Sequence, residues 1–227
     1  MSDVRTRPRS AIPGISIPLY RLGDFALSGA FMFFTSVRVI VTADSLADGQ
    51  QLEALHHAAT GVFMAICAFL FLIRGPAKAG ARSWVPKAVA VIGTWSIVPL
   101  LQQPFTFDSN AVLLVSSLGI LAGEVFIIWA VWTLRRSLSI FPEARDLVRH
   151  GPYGIVRHPL YSAHMLTYAL VLLPRFAPLA LLFAFLGIAG ELWRARNEEA
   201  VLSSAFPVYE AYAETTPRFI PRLTGRD

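Results

Sequence analysis

Long apolar runs alternate with short polar stretches along this 227-residue chain. A helix needs roughly 17–25 mostly apolar residues to cross the hydrocarbon core. The runs at 24–43, 54–73, 88–104 and 111–134 meet that length. A fifth apolar region, 160–193, is interrupted by Pro174, Arg175, Phe176, Ala177 and Pro178. Two prolines and an arginine break a continuous helix, and the region is too long for one span. It predicts a helical hairpin with arms 160–173 and 177–193, the first short. The hairpin either crosses twice or enters and returns as a re-entrant pair. The pattern predicts an all-α, polytopic integral membrane protein of five to six membrane segments, ending in this hairpin and a tail.

Composition agrees: 55% of residues are hydrophobic and only 15% charged, against about 25% charged in a soluble domain. The net charge of +5 is therefore too thinly spread to argue for nucleic acid. Its placement is more informative. All Lys and Arg except Arg38 and Arg175 fall in the N-terminal tail, the loop 74–87, the segment 135–157 and the C-terminal tail. The intervening segments 44–53 and 108–110 carry only acidic charge. The positive-inside rule then predicts both termini in the cytoplasm, in a bacterial cytoplasmic membrane. The Arg-rich N-terminus is followed by Pro13 and Pro18 without a small-residue cleavage site, which reads as a tail rather than a secretory signal. The one cysteine, Cys67, lies in an apolar run, so neither a disulfide framework nor a Cys-based metal site is expected.

Polar residues inside spans are expensive and mark function by default. Glu124 lies near the middle of the fourth run and Arg38 within the first. They predict either a polar pathway or a structural pairing between helices. His56 and His57 open the second run and read as interfacial. His150, His158 and His164 match no familiar metal spacing, so no metal is expected. Phosphate-loop, dinucleotide, nucleophile-elbow and zincin patterns are absent. No internal repeat suggests a transporter of duplicated halves.

The remaining polar content sits in two segments. In 145–161, Gly151-Pro152-Tyr153-Gly154 reads as a tight turn. Pro159 then suits the first position of the next helix, with His158 at its N-cap. Such a helix start favours a carboxylate or phosphate, and Arg157 and His158 add donors there. Tyr161, His164, Met165 and Tyr168 share one face at helical spacing. The alternative is a basic juxtamembrane loop touching anionic headgroups. In the second segment, 191–199, a continuing helix puts Glu191, Arg194 and Glu198 on one side, with Arg196 and Glu199 around from them. The alternative there is a solvated helix exit with ordinary ion pairs. Beyond it, Phe206, Tyr209, Tyr212, Pro217 and Phe219 suit a tail laid back as a lid.

Together the segments resemble the isoprenylcysteine carboxyl methyltransferases, within a wider group that includes phospholipid methyltransferases. Gly151-Pro152-Tyr153 followed by Arg157-His158-Pro159-x-Tyr161 resembles that family's RHPxY region. Arg194-x-x-x-Glu198-Glu199 with Leu202, Phe206, Tyr209, Tyr212 and Pro217-Arg218 resembles its C-terminal motif. The resemblance covers about residues 145–221. Ala163 stands where the family has glycine, Pro207 follows Phe206 in place of glycine, and Arg145 replaces a histidine.

The resemblance implies methyl transfer from S-adenosylmethionine to a lipophilic acceptor held in the bilayer, most simply a carboxylate of isoprenylcysteine type. Variants are a phospholipid amine or a thiol. It divides the single membrane domain 1–227 into N-terminal spans (1–134) and a cofactor-binding catalytic region (135–227). It places the cofactor against Leu147, Val148, Tyr153, His158, Pro159, Leu160, Tyr161 and Glu198. It makes Arg194 the residue that orients the acceptor; an amine or thiol acceptor would need a base, supplied by His158, Glu199 or a substrate group. A second reading, of a different class, is a non-catalytic multispan carrier with Arg38 and Glu124 as its polar pathway.

Overall fold

The computed structural model describes residues 21–80, 85, 88–89, 96–107, 109–140 and 143–222. Helices α1 (Leu22–Ala47) and α2 (Gln51–Ile73) form an antiparallel pair joined by a turn at Gly49, where φ is +74°. The short α3 (Ile97–Leu101) precedes α4 (Asn110–Leu134). After β2 (Glu143–Ala144), antiparallel to β1 (Ala79–Gly80), come α5 (Pro152–Ile155), α6 (Pro159–Leu172), α7 (Pro178–Ala205) and α8 (Tyr209–Thr215). The protein is an all-α integral membrane protein. Helices α1, α2, α4 with its short continuation, and α7 are each long and apolar enough to cross a membrane. Their outward faces carry large apolar side chains, among them Phe33, Val39, Val125 and Phe185.

The hairpin expected from Pro174 and Pro178 is present as α6 and α7, joined through a 3-10 turn at Leu173–Arg175. Pro159 and Pro178 each begin a helix, where the missing N–H is no loss. At ~1.5 Å per residue, α6 reaches roughly 21 Å, short of the roughly 30 Å hydrocarbon core. The second arm continues well past Trp193 to Ala205. Of the expected third span, 88–104, residues 90–95 lie outside the described residues, and α3 is the helix described in its second half. The expected N-terminal tail lies outside them too.

Packing follows small residues, as it does between helices in lipid. A Cβ at Gly187 of α7 would lie 2.2 Å from Tyr168 Cζ of α6. Only glycine permits that approach. Tyr168 belongs to a buried cluster with Leu100, Val171, Ala180 and Ala184. A second cluster joins Cys67, Leu70 and Phe71 of α2 to Ile127 and Val131 of α4, Leu138 and Ala163. At one end of the α1–α2 pair, Arg74 Nε donates to the buried Asp24 carboxylate at 2.7 Å, and its guanidinium lies over Phe71.

Candidate functional site

Two polar centres emerge from this fold. The first is at the start of α6. Gly151, with φ +60°, lets the chain turn tightly against Thr133 and enter α5. Upstream, the β1–β2 pairing and Arg145, whose Nε donates to Gly75 O at 2.9 Å, tie residues 143–146 to the α2 exit. Arg145, where the resembled family has histidine, is thus a structural tie.

Glu199 of α7 is the hub. Its Oε1 accepts from His158 Nε2 at 3.0 Å, Arg218 Nε at 3.0 Å and Arg157 Nη2 at 3.1 Å. Its Oε2 takes a second bond from Arg218. Glu198 accepts from Tyr161 O–H at 2.7 Å, and the His158 ring stacks on Tyr161. The tail returns as the aromatic pattern predicts. Arg157 N–H donates to Pro217 O, His158 N–H to Arg218 O and Ser162 Oγ to Phe219 O, at 2.8, 3.1 and 2.8 Å. Tyr212 O–H donates to Tyr153 O at 2.6 Å, and Arg157 Nη1 to Ala213 O at 2.6 Å. Burial pushes the Tyr212 phenol up to about 12. The bonds to Glu199 hold the Arg218 guanidinium above its ordinary range. The phenol oxygens of Tyr153 and Tyr209 and Arg157 Nε are buried without a hydrogen-bond partner among the described residues.

Of the residues nominated from sequence, His158, Tyr161, Glu198 and Glu199 come together here, with Tyr153 attached through Tyr212. Pro159 is fully buried, and Leu160 packs on the α2–α4 cluster. Leu147 lines a neighbouring open cleft of about 560 Å³ with Arg149, His150 and Tyr212, while Val148 is half-buried beside it in sequence. Arg194 lies deeper. Its Nη1 meets Glu191 Oε2 at 3.1 Å, its Cζ sits 5.0 Å from the Tyr161 ring centroid, and it is 8% exposed. Glu191, 1% exposed, also meets His164 Nδ1 at 3.2 Å. The helical spacing of Tyr161, His164 and Tyr168 anticipates their common orientation toward α7 and Ser96, but not their partners.

The second centre lies between α1, α2 and α4. Glu124 does not pair with Arg38. Thr60 Oγ1 lies 2.6 Å from Glu124 Oε1, and His56 Nδ1 lies 3.5 Å from Glu124 Oε2. Arg38 Nη1 instead donates to His57 Nδ1 at 3.1 Å. His56 and His57 are therefore partners of intramembrane charges rather than plain interfacial residues. The i, i+4 relation of His56 to Thr60 on α2 is the available signal for the first of them. Among the described residues no three His, Cys, Asp or Glu side chains converge as a metal cage would require.

Comparison with known proteins gives a different functional context from the motif resemblance. No family model matches the chain. It is 32% identical over 146 residues to the nickel-cobalt-cadmium resistance protein NccN of Alcaligenes xylosoxydans xylosoxydans, covering 59% of this chain and 65% of that protein. It is 34% identical over 149 residues to the cobalt-zinc-cadmium resistance protein CzcN of Cupriavidus metallidurans, covering 59% and 64%. The match thus spans less than two thirds of either relative. Both relatives are named for metal resistance and neither as a methyltransferase, which overturns the expected membership of the isoprenylcysteine methyltransferases and the expected methyl-transfer activity. The physical reason is general. Shared local motifs specify a turn, a helix start and an ion-pair hub, and one such scaffold serves unrelated functions.

Proposed function

We propose that this chain is a non-catalytic multispan carrier component contributing to resistance to divalent transition-metal cations in a bacterial cytoplasmic membrane. The observation that carries the proposal is the similarity to two proteins named for nickel, cobalt, zinc and cadmium resistance. Physical chemistry supports it at the second centre. Ionisable groups at membrane depth face a bundle interior or a pathway, and Arg38, His57, His56 and Glu124 are linked there across three helices. These groups form no closed cage, and passage requires binding weak enough for release.

The basic residues of the 74–87 loop, the 135–157 segment and the tail orient the Glu199 hub toward the cytoplasm. The docked tail then covers the cytoplasmic end of the hairpin. The test is expression in a metal-sensitive bacterium lacking its own efflux systems, with cellular cobalt, zinc, cadmium and nickel measured by mass spectrometry. Lower content than in vector-only cells, and loss of that effect in Glu124→Ala, is the expected result. Equal content with the protein verified in the membrane overturns the proposal.

A further inference from the structure

Away from both polar centres, α7 carries a notch with a polar rim on its outer face. Ala189, Leu192, Trp193, Arg196 and Asn197 line an open cleft there of about 520 Å³. Their i, i+3, i+4, i+7 and i+8 spacing puts them on one stripe of the helix. Ala189 offers only a methyl group to that stripe, while the larger Leu192 (38% exposed) and Trp193 (46%) stand beside it. Toward the Pro178 end the same face continues as Leu182, Phe185 and Leu186, all exposed.

Depth and charge both bear on what fills it. At ~1.5 Å per residue, Arg196 stands roughly 27 Å along α7 from Pro178, close to the roughly 30 Å hydrocarbon thickness. It therefore reaches headgroup level on the side of the Glu199 hub, with Trp193 one turn deeper, where indole rings prefer to lie. Arg196 is exposed and forms no ion pair among the described residues. The acids of the same helix are engaged on its inner side: Glu191 with Arg194, Glu198 with Tyr161, and Glu199 with His158 and Arg218. Asn197 Nδ2 donates one hydrogen to Trp193 O at 2.9 Å and keeps a second to give. The rim thus presents a guanidinium and an amide N–H with no carboxylate to match them.

We propose that this cleft holds one anionic phospholipid. Arg196 takes the phosphate, where a planar guanidinium can meet two oxygens at once, and the Asn197 amide adds a donor. Trp193 lies against the glycerol level, and one acyl chain runs from the Ala189 notch over Phe185 and Leu186. Charge complementarity selects the occupant, because a zwitterionic lipid brings its own cation to the phosphate and gains less from Arg196. The bound lipid fixes the depth of the helix turns whose inner side carries Glu191, Arg194 and Glu198. This site goes beyond the carrier reading and stands without it.

The test is native mass spectrometry of the full chain in detergent, incubated with phosphatidylglycerol or with phosphatidylcholine of the same chain length. One phosphatidylglycerol should be retained in preference to phosphatidylcholine. Its retention should fall roughly tenfold in Arg196→Gln, the loss expected for a charge-assisted hydrogen bond. Arg222→Gln, which removes the same charge from the tail, should retain it as the wild type does. Ala189→Leu, which keeps the charge and fills the notch, should also lower retention. Equal retention of the two lipids, or equal loss in Arg196→Gln and Arg222→Gln, reduces the site to general charge attraction and overturns the proposal. Unchanged retention in Ala189→Leu overturns it too, as does displacement of the lipid by an equal concentration of glycerol phosphate, which would assign the cleft to a soluble phosphate. The thermal midpoint in lipid-free detergent checks folding; if Ala189→Leu does not fold, the comparison of Arg196→Gln with Arg222→Gln decides.

Discussion

Replacing Glu199 by Gln isolates what the hub contributes to holding the tail. The glutamate side chain is 13% exposed and faces His158 (3%), Arg157 (13%) and Arg218 (38%). Gln keeps the shape but removes the charge, leaving three cationic or donor groups around an amide. Removing one partner of a buried ion pair costs about 3–5 kcal/mol. Arg218, which links the tail to the hub, is more than one third exposed, so water recovers part of that loss. About 2 kcal/mol of lost docking remains, which raises the undocked population roughly 30-fold. Trypsin cleavage at Arg218 and Arg222 in nanodisc-embedded protein reads that population directly when opening is fast relative to cleavage. Glu210→Gln, on the exposed side of α8, should cleave at the wild-type rate. A change in Glu199→Gln smaller than about threefold would show that the backbone bonds to Pro217 and Arg218 hold the tail without the ion pairs.

Gly187→Ala should lower the thermal midpoint in detergent by an amount corresponding to about 1–3 kcal/mol of overpacking, because its Cβ meets the Tyr168 ring. Gly119→Ala, which meets only the branched end of Leu170, should lower it less; a reversed order in the same assay would contradict the packing account. Asp24→Asn should destabilise the α1–α2 pair by about 3–5 kcal/mol, whereas Asp24→Asn combined with Arg74→Met should recover much of the loss in thermal denaturation. Tail docking should also weaken in alkali. The Tyr212 phenol is raised in the folded protein to about 12, so its contribution is complete below the unfolded value of ~10 and lost as pH rises from there through about 12. Tail cleavage by an alkali-tolerant protease should accelerate over that window in the wild type and not in Tyr212→Phe.

The long helices could be read from the chain because bilayer thickness dictates run length, and Pro174 and Pro178 announced the break between α6 and α7. The packed-back tail could be read from the aromatic residues after Phe206. Partner choice could not. Depth along two helices does not determine their mutual rotation: the α1–α2 approach gives Arg38 to His57, and the α2–α4 contact gives Glu124 to Thr60 and His56. At the start of α6 the sequence offered donors for an anion, but the His158 N–H is satisfied by the carbonyl of Arg218, sixty residues on. Arg194 is enclosed by Glu191, which the i, i+3 spacing anticipates, and by Tyr161 of α6, which spacing alone does not show. The two local motifs meet at the Glu199 hub; the activity attached to them is not encoded in that geometry.

Metal movement by the purified chain tests the central claim most directly. The protein is reconstituted into liposomes enclosing a metal-sensitive fluorophore, and cobalt, nickel, zinc and cadmium ions are presented in turn. The account predicts saturable, protein-dependent flux of at least one of them, reduced in Glu124→Gln. Flux indistinguishable from protein-free liposomes for all four ions, with the protein folded and inserted, would contradict it.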